Sequence, residues 1–205
     1  MAFIRTVPVD EATGDVRAMY ERTQASLGYV PNYAKVFSHR PQVMAAWSAL
    51  LASIRGNLEP RQYELITLAA ARAMQCSYCM LAHGTVLRQK FYSAPQLTKI
   101  AADFARADLT PADVAMMAFA ERVVRDATAI TDAEVGALRE HGFPDAQVFD
   151  IAAAAAARCF FSKVVDALGA LPDAAYAGLE DDLKRELTGG SRPISRETPE
   201  RVAPA

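Results

Sequence analysis

Between residues 64 and 83 the chain carries Glu64, Cys76, Cys79 and His83, four side chains whose chemistries fit together. The two cysteines are separated only by Ser77 and Tyr78, and His83 follows Cys79 by four positions. Cysteine reacts as its thiolate, so a dithiol beside an imidazole and a carboxylate supplies a nucleophile, a resolving thiol and a proton acceptor. That set points to redox chemistry on peroxides or disulfides. In the cycle it suggests, Glu64 polarises His83, which takes the Cys79 proton directly or through water. The Cys79 thiolate attacks the terminal oxygen of a hydroperoxide and becomes a sulfenic acid. Cys76 then condenses with it to a disulfide, which an external dithiol reduces by exchange.

Such chemistry makes demands on the backbone. On a helix, offsets of three and four put Cys76, Cys79 and His83 on one face. A helix beginning at Cys76 would also lower a nearby thiol pKa through its free amides and dipole. Glu64 is the harder residue to place. In one unbroken helix it would lie ~22 Å from Cys79 along the axis, at 1.5 Å per residue. The spacing therefore predicts a break at Met74-Gln75, with two helices turned side by side.

Most of the remaining chain reads as helix. Periodic apolar residues and their punctuation predict helices over Asp10–Leu27, around Tyr33–Ser38, from Pro41 to Gly56, from Pro60, and from Cys76 to Lys90. Others are predicted from Ser93 to Arg106, from Thr110, from Thr131 to Gly142, from Pro144 to Gly169, and from Pro172 to Leu187. Thr131 and Glu134 are spaced as a capping box. No segment alternates as a strand does. The expectation is a single all-α domain over 1–187 and a flexible tail over 188–205, a segment with little to bury.

The composition narrows the class. With 205 residues the chain is long enough for one sizeable core. A net charge of −2 and scattered Lys and Arg give no electrostatic footprint for nucleic acid. The longest apolar run, residues 151–157, is far short of the ~20 a membrane helix needs. The start of the chain lacks an apolar stretch of signal length. No membrane partner and a cytoplasmic location are expected, and in that reducing compartment a CxxC pair is catalytic or metal-binding more often than structural.

At Glu64-Leu65-Ile66-Thr67-Leu68-Ala69 and Cys76-x-Tyr78-Cys79-x-x-x-His83 the chain resembles the alkylhydroperoxidase D and carboxymuconolactone decarboxylase-like superfamily. Val30-Pro31-Asn32, the stretch 58–61, Ala133-Glu134-Val135 with Ala137-Leu138-Arg139, and Phe160-Phe161 fit its uncharacterised peroxidase-related branch. The likeness covers roughly residues 25 to 172. It implies an all-helical, alkylhydroperoxidase D-like bundle that assembles into trimers or hexamers with active sites near subunit contacts. It also implies a peroxidase with no metal or organic cofactor, acting on a hydroperoxide and recycled by a dithiol reductant. Carried over, Cys79 is the peroxide-reacting thiol, Cys76 its more accessible partner, and Glu64 and His83 the relay. The decarboxylase branch lacks the cysteine pair. One departure is Tyr78, where the best-studied type has a second histidine. With an unperturbed pKa of ~10, tyrosine is a poor proton acceptor at neutral pH, so the relay here is simpler.

Blander readings stand beside these. Taken alone, Glu64 is a solvated helix glutamate, and the cysteines could be buried without a role. A zinc site on Cys76, Cys79 and His83 would need a fourth ligand, and Cys159, His39 and His141 are each isolated in sequence. Cys159 reads as core, and His39 and His141 as surface or helix-end residues. Trp47, Phe37, Phe160 and Phe161 read as core or as the lining of a channel or interface. Lys163 and Asp166 are spaced to pair along their helix. The alternatives to a thiol peroxidase are a redox or zinc-dependent sensor or scaffold, and a carboxymuconolactone-type decarboxylase.

Overall fold

The computed structural model describes residues 2–189 and 192–203. Every regular element within them is a helix, and the one strand-like feature is an isolated antiparallel bridge between Val30 and Glu200. The α-helices are α1 Gly14–Leu27, α2 Asn32–Val36, α3 Pro41–Arg55, α4 Pro60–Ala73, α5 Ser77–Lys90, α6 Ala94–Asp103, α7 Pro111–Asp126, α8 Asp132–Glu140, α9 Asp145–Ala167 and α10 Asp181–Thr188. Their starts follow local chemistry. Pro41, Pro60 and Pro111 occupy first-turn positions, where the missing N–H costs nothing. Ser93–Gln96 and Thr131–Glu134 form capping boxes. Gly28 and Gly142, both at positive φ, end α1 and the short α8.

The centre of the molecule is α4. Every residue from Tyr63 to Ala71 on it is buried, the pattern of a helix covered on all sides. It packs on α5, α7 and α9, and α7 also packs on α9. Ala69, Ala70 and Ala71 on α4 are buried, as are Ala154, Ala155 and Ala157 on α9, which packs against it. These small side chains bring the backbones close. An Arg61–Asp113 pair, with two N–H···O bonds of 3.0 and 3.1 Å, ties the first turn of α4 to that of α7.

The structure departs from the sequence reading in three places. The first helix begins at Gly14 rather than Asp10, because Val9 and Ala12 are buried in a turn ahead of it. The helix expected over 172–187 is two pieces, a 3₁₀ segment Ala174–Gly178 and α10, with Leu179 extended between them. The Asp173 carboxylate pins the start of this stretch, accepting from the Asn32 amide at 2.8 Å and from two tyrosine hydroxyls. The third is the C-terminal segment, which over residues 192–203 lies against its own chain. Ser195 N–H donates to Pro172 O, Val30 N–H to Glu200 O, and Val202 N–H to Gln24 Oε1. Lys35 pairs with Glu200, and Val202 is buried. Among the described residues no helix is long and apolar enough to cross a membrane.

Candidate active site

The turn demanded by Glu64 is present. Helix α4 ends at Ala73 and α5 begins at Ser77. Gln75 between them is the only non-glycine at positive φ among the described residues, at 56°. Cys76 N–H donates to Ala71 O and Gln75 N–H to Arg72 O, a Schellman closure that reverses the chain within three residues. Cys76 thus becomes the N-cap of α5 and Cys79 lies in its first turn, where amides and dipole favour a thiolate. The reversal lays α5 beside α4, and His83 Nδ1 meets Glu64 Oε2 at 2.6 Å. Burial raises the Glu64 carboxyl, but the His83 ring, Arg55 and Arg158 outweigh it and hold the group below its ordinary value.

Both thiols are unbridged and buried, Cys76 at 0% and Cys79 at 1% exposure. Cys76 is therefore not the more accessible partner, because the N-cap position tucks it beneath the turn. The two differ in environment instead. The Cys76 hydrogen bond lowers the Cys79 thiol below the ordinary range against the opposing effect of burial, and Arg158, His83 and Ser162 add to the shift. Ser162 Oγ donates to Cys79 Sγ at 3.1 Å. The bond to Cys79, together with burial, raises Cys76. Its thiol also hydrogen-bonds the Asp166 carboxylate.

Cys79, His83 and Glu64 line one cavity of about 630 Å³, walled by Trp47, Arg158 and Phe161; Cys76 does not line it. Among the described residues no direct hydrogen bond joins His83 to Cys79, so a proton passing between them needs a bridging molecule, as the sequence scheme allowed. Among the described residues no group of three or more His, Cys, Asp or Glu converges as a metal site. Cys159 is half-buried on α9, His39 Nε2 contacts Arg5 O, and His141 caps the end of α8.

The model of the carboxymuconolactone decarboxylase family matches residues 41–122, the span from α3 into α7 that holds all four candidate residues. The chain is similar to the alkylhydroperoxidase D core of an uncharacterised peroxidase-related protein from Ralstonia eutropha JMP134. That likeness has 27% identity and a TM-score of 0.76, over 93% of this chain and 98% of that one. The chain has the alkylhydroperoxidase D-like fold. An uncharacterised peroxidase-related protein from Silicibacter sp. TM1040 is similar at 26% identity and TM-score 0.76, over 85% of this chain and 95% of that one. A variant of the debrominase Bmp8, bound to 2,3,4-tribromopyrrole, shares the fold at 16% identity and TM-score 0.73, over 88% and 97% of the two chains. No curated protein matches the chain.

Within this alkylhydroperoxidase D-like fold, the Tyr78 hydroxyl donates to Asp173 Oδ2 at 2.6 Å and accepts from Tyr33 N–H at 3.2 Å. Burial first, then the Asp173 charge, raises its pKa well above the ordinary value. Tyr78 anchors the segment, with its hydroxyl proton committed to Asp173.

Three site residues on α9 escaped the sequence reading: Arg158, Ser162 and Asp166. Asp166 turns to Cys76 and to Arg192, whose Nε is 4.0 Å away, and forms no ion pair with Lys163. Phe37 and Phe161 are buried, Trp47 is half-buried, and Phe160 faces outward. A helical wheel of α9 would have put Arg158, Ser162 and Asp166 on one face, at intervals of four, but nothing in the sequence says that the face meets the dithiol.

Proposed function

We propose that the protein is a cofactor-free thiol peroxidase working through a Cys76–Cys79 dithiol/disulfide cycle. The observation that carries this reading is Cys79, a buried thiol favoured as its thiolate and opening on a cavity beside a His83–Glu64 pair. A hydroperoxide in the cavity takes the place of the bridge between Cys79 and His83. The Cys79 sulfur attacks the terminal peroxide oxygen and the O–O bond breaks. The leaving alkoxide takes a proton from His83, held in register by Glu64. Cys79 is then a sulfenic acid and the peroxide an alcohol. Cys76 gives its proton towards Asp166 and attacks the Cys79 sulfur; water leaves and the disulfide closes. An external dithiol, oxidised in turn, restores both thiols. A reducing compartment such as the cytoplasm suits that last step.

The outward side of α9 supports assembly into a homo-oligomer. Phe149 and Phe160 are 69% and 43% exposed and, with Ala153 and Ala156, fall on one apolar stripe; Leu50 and Val43 on the adjacent α3 are also exposed.

The test is peroxide consumption by the fully reduced, metal-free protein beside Cys79→Ser and Cys76→Ser, with mass spectrometry of the products. The reading requires an internal disulfide in the wild type, a trapped Cys79 sulfenic acid in Cys76→Ser and an inert Cys79→Ser. Reaction no faster than a free thiol in all three would sink it. Decarboxylation of a carboxymuconolactone that survives loss of both thiols would favour decarboxylase chemistry.

A further inference from the structure

Among the described residues Arg158 has no ion-pair partner, although Glu64 on the same cavity feels its charge without forming a salt bridge with it. Arg158 is 3% exposed and lines the cavity shared by Cys79 and His83. Its guanidinium carbon lies 5.4 Å from the Trp47 ring centre and 5.6 Å from that of Phe161, and those two rings stack at 4.4 Å. Contacts with ring faces attract the charge but accept no N–H in the plane of the guanidinium. Nε is buried with no hydrogen-bond partner, and among the described residues Arg158 forms no ion pair. The Tyr63 hydroxyl approaches it. Cys79 feels its charge but draws its hydrogen bonds from Cys76 and Ser162.

Arginine stays charged in a protein interior, and a buried charge is costly unless an opposite charge and acceptors meet it. Its planar fork matches a carboxylate. Around it the cavity is aromatic: Trp47, Phe161 and Tyr33, the last edge-on to Phe161 at 5.2 Å. A volume of about 630 Å³ suits a small organic molecule.

We propose that Arg158 is a substrate-binding residue that takes a carboxylate, so that the site selects organic hydroperoxides with a carboxylate on an apolar or aromatic body. The binding half of this proposal stands on Arg158 and its surroundings; the hydroperoxide half rests on the peroxidase reading. Trp47, the only tryptophan in the chain, reports on the site directly.

The experiment titrates the reduced wild-type protein with 4-isopropylbenzoate and, separately, with its neutral amide, following Trp47 fluorescence. Neither probe is a peroxide, so turnover plays no part. The benzoate is expected to bind at least ~10-fold more tightly than the amide, the scale of one charge-assisted contact. Arg158→Gln should bring the two to equal affinity and Arg158→Lys should keep part of the difference, with far-ultraviolet circular dichroism checking that each variant folds. Equal affinities in the wild type, or no binding of the benzoate, would overturn the proposal without any variant. Steady-state turnover of cumene hydroperoxide and its 4-carboxy derivative then separates the two readings. A higher kcat/KM for the carboxylate supports both. Selective binding of the benzoate with no turnover of either peroxide keeps the anion site and removes the peroxidase reading.

Discussion

Cys79 and Cys76 are the same residue type three positions apart, yet their surroundings push them in opposite directions. Cys79 receives hydrogen bonds from Cys76 and Ser162, and Cys76 is left holding the proton. Alkylation of Cys79 by iodoacetamide should therefore rise with pH through a midpoint below the ~8.5 of a free cysteine. The sign follows from the shift: a lowered pKa makes thiolate, the reactive form, available at lower pH. Cys76→Ala removes a donor to the thiolate and should move the midpoint upward; a profile identical to wild type would mean that the bond between the thiols does not set the ionisation. The sequence could name these two cysteines, Glu64 and His83 because their types and spacing are local information. It could not name Arg158, because nothing in the Ala-Arg-Cys-Phe-Phe run says what the arginine's side of the helix meets. Its burial arises only when α9 folds against α3 and α4.

At the scale of elements, the site depends on a reversal made by Gln75 in the left-handed region. That conformation costs a non-glycine residue roughly 1–2 kcal/mol, most for a β-branched one. Gln75→Val should lower stability to chemical denaturation by about 1 kcal/mol beyond what Gln75 already costs, while Gln75→Asn should be tolerated. Loss of stability without loss of the His83–Glu64 contact, read from the histidine ring resonances, would mean that the two helices are held together by packing alone. The break near Gln75 was legible because one continuous helix would have pulled Glu64 out of reach. The break in the 172–188 stretch was not, since Asp173 is pinned by Asn32, Tyr29 and Tyr78, residues far from it in sequence. Helix α10 meets α5 where a Cβ on Gly84 would come within 2.5 Å of Leu187 Cδ1. Leu187→Ala should cost about 2–5 kcal/mol as a fully buried truncation. Adding Gly84→Ala should recover part of that loss, although alone it crowds the same contact. Simple additivity in thermal melts would show that the two positions do not share the space.

For the whole molecule, the exposed stripe on α9 carries the expectation of self-association. Phe149→Glu with Phe160→Glu places charges where the structure leaves apolar surface uncovered. Sedimentation velocity should show the wild type larger than a monomer and the double variant shifted to the monomer; a monomeric wild type would end the oligomer reading. The all-helical class was legible from periodicity and punctuation alone. The path of the 192–203 segment was not, because its anchors are backbone groups and single side chains such as Ser195 and Val202, which leave no periodic pattern.

Tyr78 stands between the two cysteines with its hydroxyl moored to Asp173 and to the Tyr33 amide. With the middle of the motif fixed to the interior, the proposed cycle would have the sulfurs make and unmake their bond by swinging about their own Cα–Cβ axes, and the backbone would have no cause to follow. Oxidised and reduced molecules would then present the same face to everything that meets them. On that cycle the protein would keep its electron count private, a trait that suits the proposed catalyst better than a messenger.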